Sequence, residues 1–355
     1  MQTIQDVANL RTSYTQTLIA NANKDVDTVR YTNLGRTGLQ ISVIGLGCGN
    51  FGGIGSSPAF FGKGETEEEA FAIMDAAWEM GINNFDTADA YGCGRSETAI
   101  GKWLKGKGAV VRDHLILTSK VFNPVGDGPN DHGLSRRHIL RQVERSLQRL
   151  GVDHIDMYLM HEPDPRTPLE ETIRAMDNLV RQGKVHYIGA SNMPGWLMTK
   201  ALWISDKYNL TRFDWVQNSY SLLEQGDDRE VLPLCADQGL GYTPFSPLAG
   251  GWLTGKYQSM SDFPEGSRMT MRPEPYQKLL NQSTFDALAK FKAEADKRGV
   301  SMSGLALAWL LSHPIPMQPI IGPRKPAHLD PVPEALGLNL TREEHDQLTA
   351  LFPGF

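Results

Sequence analysis

The chain has 355 residues, a formal net charge of −6 and three cysteines, and no apolar run in it is long enough to cross a bilayer. A modest acidic excess argues against nucleic acid as the main partner, because such binding needs a clustered basic surface. Cys48, Cys93 and Cys235 are an odd set without C-x-x-C spacing, so neither a disulfide framework nor a zinc site is indicated, and a reducing cytosol is favoured.

Residues 1–29 lack the basic start and apolar core of a secretory signal. Ile4, Val7, Leu10, Tyr14 and Leu18 fall at roughly helical spacing, so this segment reads as an arm, helical or disordered, and residues 30–355 read as a single domain. Tyr31–Leu34 and Leu39–Ile41 flank the turn Gly35-Arg36-Thr37-Gly38 and predict a β-hairpin. Strand and helix units then alternate. A strand Ile41–Leu46 precedes a helix Glu67–Met80, with Ala70, Ile73, Met74, Ala77 and Trp78 on one face and Gly81 closing it. A strand ending at Asp86 precedes a helix Ser96–Leu104, and a strand His114–Ser119 ending near Lys120 precedes a helix Arg136–Arg149 capped by Ser135. A strand Ile155–Met160 ends at His161 and is followed by a helix Leu169–Arg181 closed by Gly183. Further strands are expected over Val185–Gly189, Phe213–Gln217, Leu240–Phe245 and Gln318–Ile321, with a helix near Asp228–Asp237. Eight such units predict an α/β fold, a closed parallel (β/α)8 TIM barrel with an N-terminal hairpin. Val121–Leu134 and Gly250–Ser283 exceed simple turns, and long loops on the C-terminal face form lids or substrate walls.

Asp86, Tyr91, Lys120 and His161 all fall at or just past strand ends, where barrel enzymes gather their chemistry. Reducing a carbonyl needs a hydride on carbon and a proton on oxygen. A free phenol has a pKa of about 10, so Tyr91 needs a nearby cation that favours the phenolate; Lys120 supplies one, and Asp86 balances it. His161 is placed to orient the carbonyl oxygen or assist the proton. Each residue also has a plain alternative: an Asp caps a loop, a Tyr packs on the rim, and a strand-end Lys suits a Schiff-base aldolase. His161 beside Glu162 has no partner at metal-ligand spacing.

Asn84-Phe85-Asp86-Thr87-Ala88-Asp89-Ala90-Tyr91-Gly92, Leu117-Thr118-Ser119-Lys120 and Leu159-Met160-His161 resemble the signature segments of the aldo-keto reductase superfamily. The likeness continues through Gly189-Ala190-Ser191-Asn192, Val216-Gln217-Asn218, Phe245-Ser246-Pro247-Leu248, Leu253-Thr254-Gly255-Lys256 and Ile320-Ile321-Gly322-Pro323-Arg324, spanning roughly Arg30 to Leu351. It implies that Asp86, Tyr91, Lys120 and His161 are the catalytic tetrad and that NADPH/NADP+ binds without a Rossmann domain. By the same resemblance Ser191, Asn192 and Gln217 hold the nicotinamide carboxamide, Phe245 stacks on its ring, and Ser246, Leu248 and Gly250 pass the pyrophosphate. Lys256 and Arg268 lie near the phosphates, and Gly322 leads to Arg324 at the 2′-phosphate, a role suited to a planar, permanent charge. His328, Pro331 and Val332 stand where the family often has Gln, Glu and Asn against adenine, so those contacts are altered, and Pro331 and Pro333 fit poorly inside a helix. Without the resemblance, the Ser and Asn positions read as turn chemistry and Lys256 and Arg268 as solvated surface.

The expected activity is an NADPH-dependent interconversion of an aldehyde or ketone with its alcohol. Phe51, Phe60, Phe122, Trp196, Met269 and Met271 are the candidate pocket residues, and their apolar character favours a bulky, aromatic or glycosidic carbonyl. The resemblance also implies an alternative, a cofactor-sensing regulatory subunit like the channel-associated β-subunits. A cytoplasmic location, no metal, no membrane or nucleic-acid partner, and possible homo-oligomerisation complete the expectation.

Overall fold

The structure, a computed structural model, describes residues 29–354; apart from Val29, the expected arm lies outside them. Strands β1 (Tyr31–Asn33) and β2 (Gln40–Ser42) form the expected antiparallel hairpin. Leu34 and Ile41 are fully buried against Met157, Leu159 and Trp215, so the hairpin stoppers the N-terminal end of the barrel. Gly35, at φ +52°, lets the turn lie on the backbone of Gly239–Gly241, which any Cβ there would strike.

The barrel strands are β3 (Gly45–Gly47), β4 (Asn84–Asp86), β5 (Ile116–Val121), β6 (Ile155–Met160), β7 (Val185–Ser191), β8 (Trp215–Gln217), β9 (Gly241–Tyr242) and β10 (Ile320–Ile321). All pair in parallel in chain order, and β10 pairs back onto β3. The ring closes between β9 and β10, where the Gln318 and Ile320 N–H groups donate to Tyr242 O (3.0 Å) and Pro244 O (2.8 Å). Around it lie α1 (Glu67–Glu79), α2 (Arg95–Lys107), α3 (Ala109–His114), α4 (Arg136–Leu150), α5 (Leu169–Arg181), α6 (Gly195–Tyr208), α7 (Val231–Gln238), α8 (Arg268–Met271), α9 (Gln282–Arg298), α10 (Met302–Leu311), α11 (Pro331–Gly337) and α12 (Arg342–Thr349). Helix α1 starts at a reciprocal cap, with the Glu69 N–H donating to Thr66 Oγ1 and the Thr66 N–H to the Glu69 carboxylate, and it buries Ala70, Ile73, Met74 and Ala77. Such a cap contributes about 1 kcal/mol.

Several expected boundaries move for identifiable reasons. Ile41 to Leu46 is two strands: the chain leaves the hairpin at Ser42, whose hydroxyl donates to Ile44 O at 2.7 Å, and the barrel begins at Gly45. His114 ends α3 instead of opening a strand. The last two strands are shorter than expected because Pro244 and Pro319 have no N–H to give; their carbonyls still accept, from Ile320 and Gly45. Pro331 and Pro333 do sit in a helix, but in its first turn, where N–H groups have no intrahelical partner. Helices α6, α9 and α10 carry no clear start in the spacing of apolar residues, and α10 is buried on nearly every side.

Candidate active site

The Asp86, Tyr91, Lys120 and His161 side chains come together at the C-terminal end of the barrel. Asp86 ends β4, Tyr91 opens a tight turn after it, Lys120 is the penultimate residue of β5, and His161 follows β6. One residue before Lys120, Ser119 donates to Glu97 of α2 at 2.6 Å, and Arg149 of α4 donates to the other Glu97 oxygen at 2.6 Å. Helix positions are thereby tied to the strand that carries the lysine.

Lys120 is 1% exposed, and its three N–H donors have three acceptors. They are Asp86 Oδ1 at 2.5 Å, Thr87 O at 2.8 Å and the Tyr91 hydroxyl at 3.4 Å. Gln217 Nε2 donates to the second Asp86 oxygen at 2.8 Å, so both carboxylate oxygens are used. Burial alone would lower the Lys120 ammonium, but Asp86 and Tyr91 hold it above its ordinary value. Burial raises the Tyr91 hydroxyl, and the opposing pull of Lys120 does not cancel this. The cation therefore acts in the expected direction without making a resting phenolate. His161 meets the Tyr91 ring edge-on, 5.6 Å between centroids. Burial, and then the Lys120 charge, hold it well below the usual imidazole value, so it is neutral. Asn123 Nδ2 lies 3.1 Å from His161 Nδ1; with the amide donating, the imidazole proton sits on Nε2.

Three cations from distant segments, Lys256, Arg268 and Arg324, lie close enough to press on one another. Partial desolvation and the two guanidiniums lower Lys256, and burial together with Arg324 lowers Arg268. Arg324 Nε donates to Glu65 Oε1 at 2.5 Å and its NH1 to Gly266 O at 2.9 Å, while Arg268 donates to Asn50 Oδ1 at 2.6 Å. Ser246, Ala249, Gly250 and Gly251 all have positive φ, a conformation that costs Ser and Ala about 1–2 kcal/mol each, and Gly251 packs against the Lys256 side chain.

A sequence profile of the aldo/keto reductase family matches residues 43–352, nearly the whole described chain. The chain belongs to the aldo/keto reductase family. It is 40% identical over 334 residues, 92% of its length and 97% of the relative's, to the "Uncharacterized oxidoreductase YrpG" of Bacillus subtilis (strain 168). It is 34% identical to the versiconal hemiacetal acetate reductase of Aspergillus parasiticus, covering 89% of this chain and 95% of the relative. It is also 36% identical to a putative voltage-gated potassium channel subunit beta of Schizosaccharomyces pombe, covering 85% and 86%. Family membership supports an oxidoreductase acting on a carbonyl with a nicotinamide cofactor.

In this aldo/keto reductase, Ser191 and Gln217 end β7 and β8 and are nearly fully buried. Asn192, left-handed at φ +53°, donates to His161 O at 3.0 Å. Phe245 is half-buried just past β9, and its backbone helps to close the barrel. Leu248 is also half-buried, Gly322 is exposed, and the Arg324 N–H donates to His328 Nδ1 at 3.1 Å. Val332 is fully buried in α11 and offers nothing to a ligand. Among the six candidate pocket residues, Phe51 and Met269 pack in the main core, Phe60, Phe122 and Met271 are half-buried, and Trp196 is 62% exposed. Asn50, Glu65 and Asn123 escaped the sequence reading. Asn123 alone had a signal, a polar residue three places past Lys120 at the start of the long loop after that strand. Gly64 packs on the Asn50 and Gly53 backbones, leaving no room for a Cβ.

Proposed function

We propose that the chain is an NADPH-dependent carbonyl reductase, with residues 30–355 as one reductase domain and Tyr91 as its proton donor. The observation that carries this reading is the buried run of contacts from Gln217 through Asp86 and Lys120 to the Tyr91 hydroxyl. Bound NADPH supplies the hydride to the carbonyl carbon. Tyr91 gives its proton to the carbonyl oxygen as that atom gains charge, and the resulting phenolate lies beside the Lys120 ammonium until a proton returns from solvent. In the oxidising direction the same phenolate takes the alcohol proton. Neutral His161 donates from Nε2 to the carbonyl oxygen. A Schiff-base role for Lys120 is disfavoured, because a nucleophilic amine needs a lowered pKa and this one is raised.

The residues present suit NADPH. Lys256, Arg268 and Arg324 oppose one another with the Glu65 carboxylate among them, so phosphate oxygens add the negative charge this cluster lacks. In this reading Arg324, with Gly322 and His328 beside it, takes the 2′-phosphate, which selects NADPH over NADH. Lys256 and Arg268 take the pyrophosphate along Ser246, Leu248 and Gly250. Ser191, Asn192 and Gln217 hold the carboxamide, and Phe245 stacks on the nicotinamide. Phe60, Phe122, Trp196 and Met271, with the more deeply buried Phe51 and Met269, favour a bulky apolar or glycosidic carbonyl; the Aspergillus relative is named as a reductase of a hemiacetal acetate.

The channel-subunit relative favours a second reading, a cofactor-sensing module that turns over slowly. NADPH oxidation with aromatic aldehydes and bulky ketones, measured beside NADPH binding by fluorescence quenching, separates the two. Turnover is expected; tight binding with none of these carbonyls reduced replaces the reductase with the sensor.

A further inference from the structure

At the opposite end of the barrel from Lys120, three lone-pair-bearing side chains converge. Asp156 and His186 are the second residues of β6 and β7, and the register that aligns Ile155 with Val185 and Met157 with Tyr187 sets them side by side. They project from the sheet face opposite to Met157 and Tyr187, which pack against the hairpin. His154 arrives from the turn just before β6. One ligand atom from each residue lies within 4.8 Å of the others. His154 Nε2 is 3.6 Å, and His186 Nδ1 3.8 Å, from Asp156 Oδ1. Two ligands of a tetrahedral ion, each about 2.1 Å from it, stand about 3.4 Å apart. These two distances therefore need to close by only a few tenths of an ångström, while the two imidazole rings, stacked with centroids 4.2 Å apart, must turn for both lone pairs to reach one ion.

Neighbouring groups orient these ligand atoms. Asp153 Oδ1 lies 2.6 Å from His154 Nδ1. When that nitrogen donates its proton to the carboxylate, Nε2 faces Asp156 Oδ1, and either a proton or a metal cation between the two relieves the repulsion of their lone pairs. A carboxylate behind a metal-binding histidine is a common orienting device. The second oxygen of Asp156 is already engaged by the Leu117 N–H at 2.9 Å and by Arg112 at 3.1 Å, which fixes the carboxylate and leaves Oδ1 to the cluster. Arg112 also donates to Leu115 O and His154 O, each at 3.0 Å, which holds it on the Oδ2 side of the carboxylate. The His186 side chain is 45% exposed, giving an ion access and room for a water ligand.

We propose that His154, Asp156 and His186 bind one transition-metal ion of the zinc class, joining the starts of β6 and β7 away from the hydride chemistry. Two imidazoles and a carboxylate suit Zn²⁺ and bind Mg²⁺ or Ca²⁺ poorly. The test uses the untagged full-length chain, stripped with chelator and titrated with ZnCl₂ by calorimetry, with melting temperature read in parallel. One ion per chain and a raised melting temperature are expected. Both should be lost in His154→Ala and His186→Ala, and affinity should fall about 10–100-fold in Asp153→Ala. No saturable binding, or binding that survives both histidine changes, overturns the proposal. Co²⁺ loading of the unaltered chain gives an independent answer. A four-coordinate spectrum without a thiolate band is expected, whereas a thiolate band would put the ion on the exposed Cys93 and overturn the assignment.

Discussion

Replacing Tyr91 with phenylalanine should separate chemistry from stability. The lost hydroxyl makes one long contact, 3.4 Å from Lys120 Nζ, and a hydrogen bond of that kind contributes about 0.5–1.5 kcal/mol. The melting temperature should then fall by only about 1–2 °C. Removing the proton donor should cost the turnover rate about 10²–10⁴-fold, or roughly 2.7–5.4 kcal/mol of barrier. The assay is kcat for reduction of an aromatic aldehyde by NADPH, with cofactor affinity by fluorescence quenching and melting on the same samples. Lys120→Met is the contrast: it leaves the Asp86 carboxylate, only 4% exposed, without its cation, and should cost about 3–5 kcal/mol of stability along with activity. If Tyr91→Phe kept more than about a tenth of the rate, well above the loss expected for a proton donor, or if it melted as early as Lys120→Met, the assignment of the proton donor would fail.

Arg324→Ala should weaken NADPH by about 10–100-fold, the worth of a charge-assisted bond, and leave NADH nearly unchanged; equal losses in fluorescence titrations would remove the 2′-phosphate role. Asn123→Leu frees the His161 tautomer and should lower kcat by up to about 10²-fold without weakening NADPH. Asn123→Gln should restore part of the rate, and an unaffected kcat in the Leu variant would show that the amide does not set the proton. Asp214 is raised by burial to about 6, against the opposing pull of Arg212 and Arg36. A carboxyl with a raised folded pKa contributes stability that is full below its unfolded value of about 3.9 and is lost as pH climbs through about 6. Asp214→Asn should therefore flatten the stability profile over that window and raise stability at pH about 8, by at most about 3 kcal/mol; an unchanged denaturation profile across that range would contradict it.

The barrel and the four central side chains were legible because buried parallel strands are short apolar runs, and Asp86, Lys120 and His161 punctuate three of them. The strand Ile155–Met160 and the helix Leu169–Arg181 appear with the expected bounds, since one is an apolar run broken only by Asp156 and the other has a clean amphipathic stripe. Periodicity failed where it carries no information. Helix α10 is buried almost all round, so it has no polar face to set a period, and the break at Val43-Ile44 depends on a hydroxyl bond that no local pattern announces. The contacts around the site were hidden for another reason. Glu65 and Arg324 lie at opposite ends of the barrel sequence, and only closure of the ring brings them together. The direction of the Tyr91 shift likewise depends on how deeply the phenol is enclosed, which residue type and spacing leave open.

The junction between β9 and β10 also bears on how the molecule is made. A nascent chain that has emerged only as far as β9 has an open sheet whose first and last strands, β3 and β9, each present an unpaired edge. Such edges invite strand addition from another chain, and they remain unpaired until the ribosome has delivered Ile320 and Ile321. Because this final pairing joins segments far apart in sequence, it carries a high loop-closure cost and should be among the slower steps of folding. Truncations before β10 should therefore yield aggregating chains, whereas α12 comes after the ring has already shut.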